Sequence, residues 1–437
     1  MFRLNQKTHT FALISAIALF TIPFAAPVSA TTTEESMAAE YEAFYEASHQ
    51  QPKVVPYQRP MLKDAKLSGA LRPEEIIKVA NQVANWQLNQ FDIRSNMLQP
   101  ERRSSGLPEG WIYGAHHVGL MAWAEASEQS NMLRAMYNLA LLNEWRLGPR
   151  AYNADDHVIG DVYLDLYEIF GGEEKIAEVQ KVFDFILKHP SPVSLKFDKS
   201  EVEEVVGAHR NFRDPIAKQR WCWADAIFMA PPVWVHLAQI TGNQRYLEFM
   251  NNEFWETTDY LYDKEQKLYL RDSRYFVEKD KQGRPIFWGR GNGWVYAGLA
   301  RILEYLPDNY KDRPRYETIF KDMGKRLEEL QLPDGSWPSS LLEREEYSTP
   351  ESSGTGLLTF AFAWGINNGL LEEDMYRPVV EQAWQSLVEC VSPSGRVGWV
   401  QQVSFAPGSA TDKDTELYGT GALLLAASEV LKLAQTD

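Results

Sequence analysis

Cysteine is nearly missing from this chain: Cys222 and Cys390 are the only two among 437 residues. That excludes a disulfide-stapled scaffold and leaves at most one bridge for an exported protein. There is no CxxC pair and no HExxH. The eight histidines are scattered apart from His116-His117, so neither a metal nor any other cofactor is expected.

Positive charge is also scarce. Lys and Arg number 44 against 60 Asp and Glu, a net charge of −16. No basic stripe exists, which argues against a nucleic-acid partner. The same balance means that an anionic ligand requires local cations strong enough to overcome the global field.

Long apolar runs are confined to the amino terminus. There "FALISAIALFTIPF" follows Arg3 and Lys7 and precedes "APVSA", with Val28 and Ala30 as small residues before a cleavage point. This is the layout of a secretory signal peptide over residues 1–30, and the run is short for a bilayer span, which needs about 20 apolar residues. No cysteine follows it, so no lipid anchor is indicated. The expected protein is periplasmic or secreted, with no membrane contact after cleavage. Residues 31–70 are polar, Glu-rich and end in Pro-flanked segments, and read as an arm or tail.

From about residue 71 to 437, apolar residues recur at spacings of three and four, the helical period. Two kinds of helix alternate. "PEEIIKVANQVANWQLNQF", "SNMLRAMYNLALLNEWR" and "RYETIFKDMGKRLEEL" carry a charged face, whereas "GWIYGAHHVGLMAWAEA", "SGTGLLTFAFAWGINNG" and "TELYGTGALLLAASEVLKLA" are apolar or small nearly all round. A helix apolar on every side must be enclosed by others. Six outer and six inner helices in alternation predict one all-α domain, an (α/α)6 barrel. Connections from an inner to the next outer helix are short, and those from outer to inner are long. Loops beyond about 12–15 residues are usually functional, so the site is expected at the mouth where the inner helices begin. Helix N-termini converge there and favour an anion.

Side chains at the inner-helix starts are the candidates for chemistry. Trp111 and Tyr113 lie in "EGWIYGAHH", and Asp155, Asp156 and His157 in "YNADDHVIG". "RWCWADAIFMAPP" holds Trp221, Trp223 and Asp225, and "FWGRGNGW" holds Arg290, Asn292 and Trp294. Asp156 and Asp225 both suit an N-cap. Large apolar neighbours around Asp225 also predict desolvation, which raises a carboxyl pKa and suits a general acid. Arg271 and Arg274 in "RDSRYF" read either as an anion clamp or as partners of Asp272. The abundant aromatics, 14 Trp, 20 Tyr and 20 Phe, serve a core or stack on sugar rings.

At these segments, together with "LPDGSWPSSLL" and "ESSGTGLLTFAFAWGINNGLL", the chain resembles the unsaturated uronyl hydrolases of glycoside hydrolase families 105 and 88, more closely family 105. The likeness runs from Trp111 to the last helix. It implies a substrate left by a polysaccharide lyase, an anionic oligosaccharide ending in a 4,5-unsaturated uronic acid. It further implies that an Asp protonates carbon 4, that water adds at carbon 5, and that the hemiketal opens to expel the rest of the sugar. Asp225 matches the family's acid/base and Asp156 its second carboxylate. The expected substrate contacts are Trp111, Tyr113, His157, Trp223, Arg271, Arg290, Asn292 and Trp294, with Arg290 and the "GNG" amides on the uronate. Arg271 stands about where family members often carry His, which brings glucuronyl-type substrates, as released from ulvan or arabinogalactan side chains, into consideration beside rhamnogalacturonan. Two other readings of the residues stay open: a glycosidase of ordinary acid/base type acting at the anomeric carbon, and a non-catalytic glycan-binding barrel.

Overall fold

The computed structural model describes residues 66–92, 97–98, 107–206 and 211–436. The expected signal peptide and nearly all of the expected arm lie outside the described residues.

The chain alternates between an outer and an inner layer of helices. The outer helices are α1 (Pro73–Leu88), α3 (Ser130–Leu142), α5 (Glu174–Lys188), α8 (Gln244–Leu261), α10 (Arg313–Leu330) and α12 (Glu373–Glu389). The inner ones are α2 (Trp111–Ala126), α4 (Ile159–Phe170), the broken pair α6 (Ala226–Met229) and α7 (Pro231–Thr241), α9 (Gly289–Tyr305), α11 (Ser352–Asn367) and α13 (Leu417–Ala434). Inner helices pack each on the next, and α13 packs back on α2, so the ring closes. This is the expected (α/α)6 barrel. Burial follows the patterning: every residue of α11 from Ser352 to Ile366 is buried, whereas α10 buries only one stripe. Helix α13 is long and apolar enough to cross a membrane, but 94% of it is buried inside the barrel wall.

Closure depends on small residues. A Cβ on Gly119 of α2 would sit 2.0 Å from the Gly421 carbonyl oxygen of α13, and one on Gly421 would sit 2.4 Å from that of Ala115. Only glycine lets the first and last inner helices approach so closely.

The break between α6 and α7 follows from Pro231 and Pro232, which have no N–H to donate back. The Phe228 carbonyl, lacking its helical donor at Pro232, accepts from Arg301 Nη1 of α9 at 3.4 Å. The result is a four-residue α6 with Asp225 at its head, set at the barrel mouth.

Long outer-to-inner connections gather at that mouth. They carry hairpin β3 (Val202–Val206)/β4 (Asn211–Pro215) and the short pair β5 (Tyr262–Asp263)/β6 (Leu268–Tyr269), after β1 (Phe91–Asp92)/β2 (Met97–Leu98) in the first such loop. Cys222 and Cys390 are both buried and unpaired.

Candidate active site

Asp225 is fixed by its neighbours' backbone. The Ala224 N–H donates to the Arg271 carbonyl at 2.8 Å, and Trp223 bridges to Asp272, so the strand after β6 is clipped to the segment that enters α6. Asn292 holds that strand from behind. Its Oδ1 accepts from the Tyr269 N–H at 2.8 Å, and its Nδ2 donates to the Tyr269 carbonyl at 3.0 Å and to the Trp288 carbonyl at 3.1 Å.

The outcome is a close carboxylate–guanidinium pair. Arg271 Nε lies 3.4 Å from Asp225 Oδ2, and neither atom has a hydrogen-bond partner among the described residues although both are buried. Arg271 Nη1 donates instead to Asp272 Oδ2 at 2.7 Å, and Arg274 donates through Nε and Nη2 to both oxygens of Asp272. Of the two readings of Arg271 and Arg274, the one the structure shows is their pairing with Asp272. Asp272, held below the ordinary carboxylate range by these guanidiniums despite its burial, anchors both cations. For Asp225, burial pushes the carboxyl up, Arg271 pulls it down, and Asp155 adds to the rise.

The two adjacent aspartates of the 3₁₀ turn Ala154–Asp156 share Arg150 unequally. Asp156 is committed to Arg150: it accepts from the Arg150 N–H at 2.8 Å, from Nε at 3.0 Å and from Nη2 at 2.5 Å. Burial opposes charge on Arg150, but Asp156, Asp155 and Asp214 more than compensate and hold the guanidinium protonated. Asp155 lies 3.9 Å from Arg150 Nη2 and 3.4 Å from Lys218 Nζ, and its charge is felt at both Asp225 and Arg271. Our expectation for the second carboxylate, Asp156, therefore meets a side chain locked in a buried ion pair. Of the two, Asp155 is the one whose charge acts on Asp225.

Several expected ligand contacts are built into the wall. Arg290 is 1% exposed, donates to the Gln401 carbonyl at 2.7 Å and the Gln402 carbonyl at 3.0 Å, and lies between Trp288 and Tyr418 at 4.5 and 5.0 Å. It staples α9 to the 401–402 segment. Tyr113 packs against Phe91 and His117 in the core. His157 pairs its Nε2 with the Ala151 carbonyl at 2.8 Å, takes the Trp234 indole N–H on Nδ1 at 3.4 Å, and burial pushes its pKa down to about 4. Asn292, Trp223 and Trp294 are buried as well. Trp111 alone of the expected aromatics is partly exposed, stacked on Tyr418 at 5.1 Å and edge-on to Trp294 at 6.3 Å. Arg150, Lys218, Glu351 and Gln401 were not singled out from the sequence. The signal for Glu351 was there, since it caps α11 through the Ser353 and Gly354 N–H groups.

Deeper in the barrel, Asp161, Asp165 and His236 bring potential ligand atoms within 4.8 Å of one another. The donor set does not suit a cation. Arg301 already sits on Asp161, and both His236 nitrogens face carboxylates, Asp161 at 3.1 Å and Glu168 at 3.3 Å. Burial opposes the imidazolium, but these two partners raise its pKa to about 10. A protonated ring has no lone pair to give.

Comparison with known proteins agrees with this geometry. The Glycosyl Hydrolase Family 88 model matches residues 79–434. The chain belongs to that family. It is 37% identical to an unsaturated 3S-rhamnoglycuronyl hydrolase of Alteromonas sp., over 97% of this chain and 98% of that protein. A protein of the same name from Formosa agariphila is 38% identical over 75% of this chain and 86% of its own. Among solved structures, a family 88 glycosyl hydrolase from Bacteroides vulgatus superposes with a TM-score of 0.70 at 29% identity, covering 83% of this chain and 99% of that one. As a family 88 member, the protein is a glycoside hydrolase of all-α barrel fold.

Proposed function

We propose that the protein removes a 4,5-unsaturated uronic acid from the non-reducing end of lyase-generated oligosaccharides by adding water across the C4=C5 bond. The relatives' names support an unsaturated uronate linked to a 3S-rhamnose, a deoxysugar carrying a sulfate ester. The amino-terminal segment supports a periplasmic or secreted enzyme, where such fragments are released.

The observation that carries this reading is the unpartnered pair Asp225 Oδ2 and Arg271 Nε. Burying donors and acceptors without partners is unfavourable, by about 1–3 kcal/mol each. A substrate that supplies the missing partners recovers that energy. Arg271 is placed to take the uronate carboxylate. Binding that anion partly neutralises the cation that holds the Asp225 pKa down, so the acid gains its proton as the substrate arrives. Asp225 then gives the proton to C4. Positive charge develops at C5 and the ring oxygen, which Asp155 stabilises. Water adds to C5 and returns a proton to Asp225. The C5 hemiketal opens to a ketone, and the acetal carbon C1, now a hemiacetal, releases the remaining sugar as an alcohol. One water is consumed, and Asp225 ends as it began. Trp111 offers its face to the flat unsaturated ring.

The test is the ultraviolet absorbance of the conjugated double bond in lyase products. Hydration abolishes it, whereas ordinary attack at the anomeric carbon leaves it. Persistence of the chromophore while sugar is released would overturn the proposal.

A further inference from the structure

We infer that Lys199 and Arg274, on the exposed ring of Phe405, form the subsite that takes the sulfate ester on the sugar next to the uronate. The inference rests on the reading above and assigns to particular side chains a specificity that reading leaves open.

Three separate loops meet at this point of the mouth. The Phe197 N–H donates to Ser273 Oγ at 2.9 Å, and the Tyr275 hydroxyl donates to the Phe405 carbonyl at 2.7 Å, so the loop before β3, the segment after β6 and the loop before α13 are tied together. The Arg274 guanidinium lies 4.4 Å from the Phe197 ring and 4.8 Å from the Phe405 ring, and Lys199 Nζ lies 4.2 Å from the Phe405 ring. Phe405 is 46% exposed, and both cations lie over its ring, so the aromatic side chain gathers two positive charges at the surface.

Charge points the same way. Arg271, Asp272 and Arg274 form a chain with two cations and one anion. Lys199 adds a further positive charge in a protein whose net charge is −16. Arg271 is committed to the site of Asp225, so it serves the uronate. Arg274 directs Nε and Nη2 to Asp272, which leaves Nη1 for a second anion. Lys199 is exposed, and no hydrogen bond holds its ammonium to a described residue. A sulfate ester needs several donors of this kind and cannot be neutralised by protonation.

The experiment compares a sulfated lyase disaccharide with the same disaccharide after desulfation, following chromophore loss in the wild type, Lys199→Glu and Arg274→Gln. The quantity read is the ratio of kcat/KM for the two substrates. Wild type should favour the sulfated form, and Lys199→Glu should lower that ratio by roughly tenfold or more, the scale of one charge-assisted hydrogen bond. Arg274→Gln should lower it in the same direction, with thermal melting recorded because Arg274 also supports Asp272. High salt should compress the wild-type ratio. A ratio unchanged in Lys199→Glu overturns the subsite. Wild-type enzyme that leaves the chromophore of both disaccharides intact overturns the proposed reaction itself, so the two failures are distinct.

Discussion

Asp225 Oδ2 and Arg271 Nε lie 3.4 Å apart in a buried mouth, and neither makes a hydrogen bond with a described residue. Their opposite charges attract across that gap, yet the hydrogen-bonding capacity of both atoms is left unused.

Replacing Asp225 by Asn removes the transferable proton and keeps the shape. Turnover should fall by about 10²–10⁴-fold, the usual contribution of a positioned acid. The fold should persist, since Arg271 keeps Asp272 as a partner. Stopped or steady-state loss of the substrate chromophore measures it, and full activity in D225N would remove Asp225 from the mechanism.

The pH profile has a definite sign. Burial raises the Asp225 pKa and Arg271 lowers it. Because the reacting form is protonated, activity should fall as pH rises through that raised pKa. Arg271→Gln deletes the opposing cation, so the alkaline limb of kcat should move to higher pH while KM rises. An alkaline limb displaced to lower pH would contradict the assignment.

Asp155 and Asp156 should separate cleanly. Asp155→Asn should cut kcat at a smaller cost in stability, because Lys218 keeps some contact with water. Asp156→Asn strands the Arg150 guanidinium, and breaking a buried pair from one side costs about 3–5 kcal/mol. Denaturant unfolding alongside kinetics distinguishes them. Loss of turnover at full stability in D156N would restore Asp156 as the second carboxylate.

His236 lies stacked on Tyr305 at 3.9 Å between Asp161 and Glu168, with Asp165 3.9 Å from Nδ1. Its pKa is raised from 6.5 to about 10 in the folded protein. The stabilisation from this network should be complete below about pH 6.5 and be lost as pH climbs through about 10. Melting temperatures measured across that window should decline, and His236→Gln should flatten the decline. An unchanged slope in the variant would place the titration elsewhere.

The barrel was legible because its signals are local. Helices such as α11 and α13 are apolar all round, and α10 is not. Connections into the inner helices, such as residues 189–225 and 262–288, are long. Both features depend only on neighbours in sequence. The position of the site followed from the same loops. Individual contacts were harder to read. Arg290 has a glycine on either side, which suited a ligand clamp. Its actual partners are the carbonyls of Gln401 and Gln402, more than a hundred residues away. Asn292 and His157 were likewise absorbed by backbone groups that no spacing rule connects to them.

The amino-acid order alone determined a double ring of helices with its long loops at the inner N-termini, since periodicity, proline breaks and loop length are properties of short windows. It also singled out Asp225, because its crowd of apolar neighbours lies within a few residues. Only the tertiary structure decided what holds these side chains: Asp156 takes three donors from Arg150, Asp155 lies beside Lys218, and Arg290 donates to the carbonyls of Gln401 and Gln402. Lys218, Gln401 and Gln402 lie more than sixty residues from the groups they meet, beyond the reach of any short window.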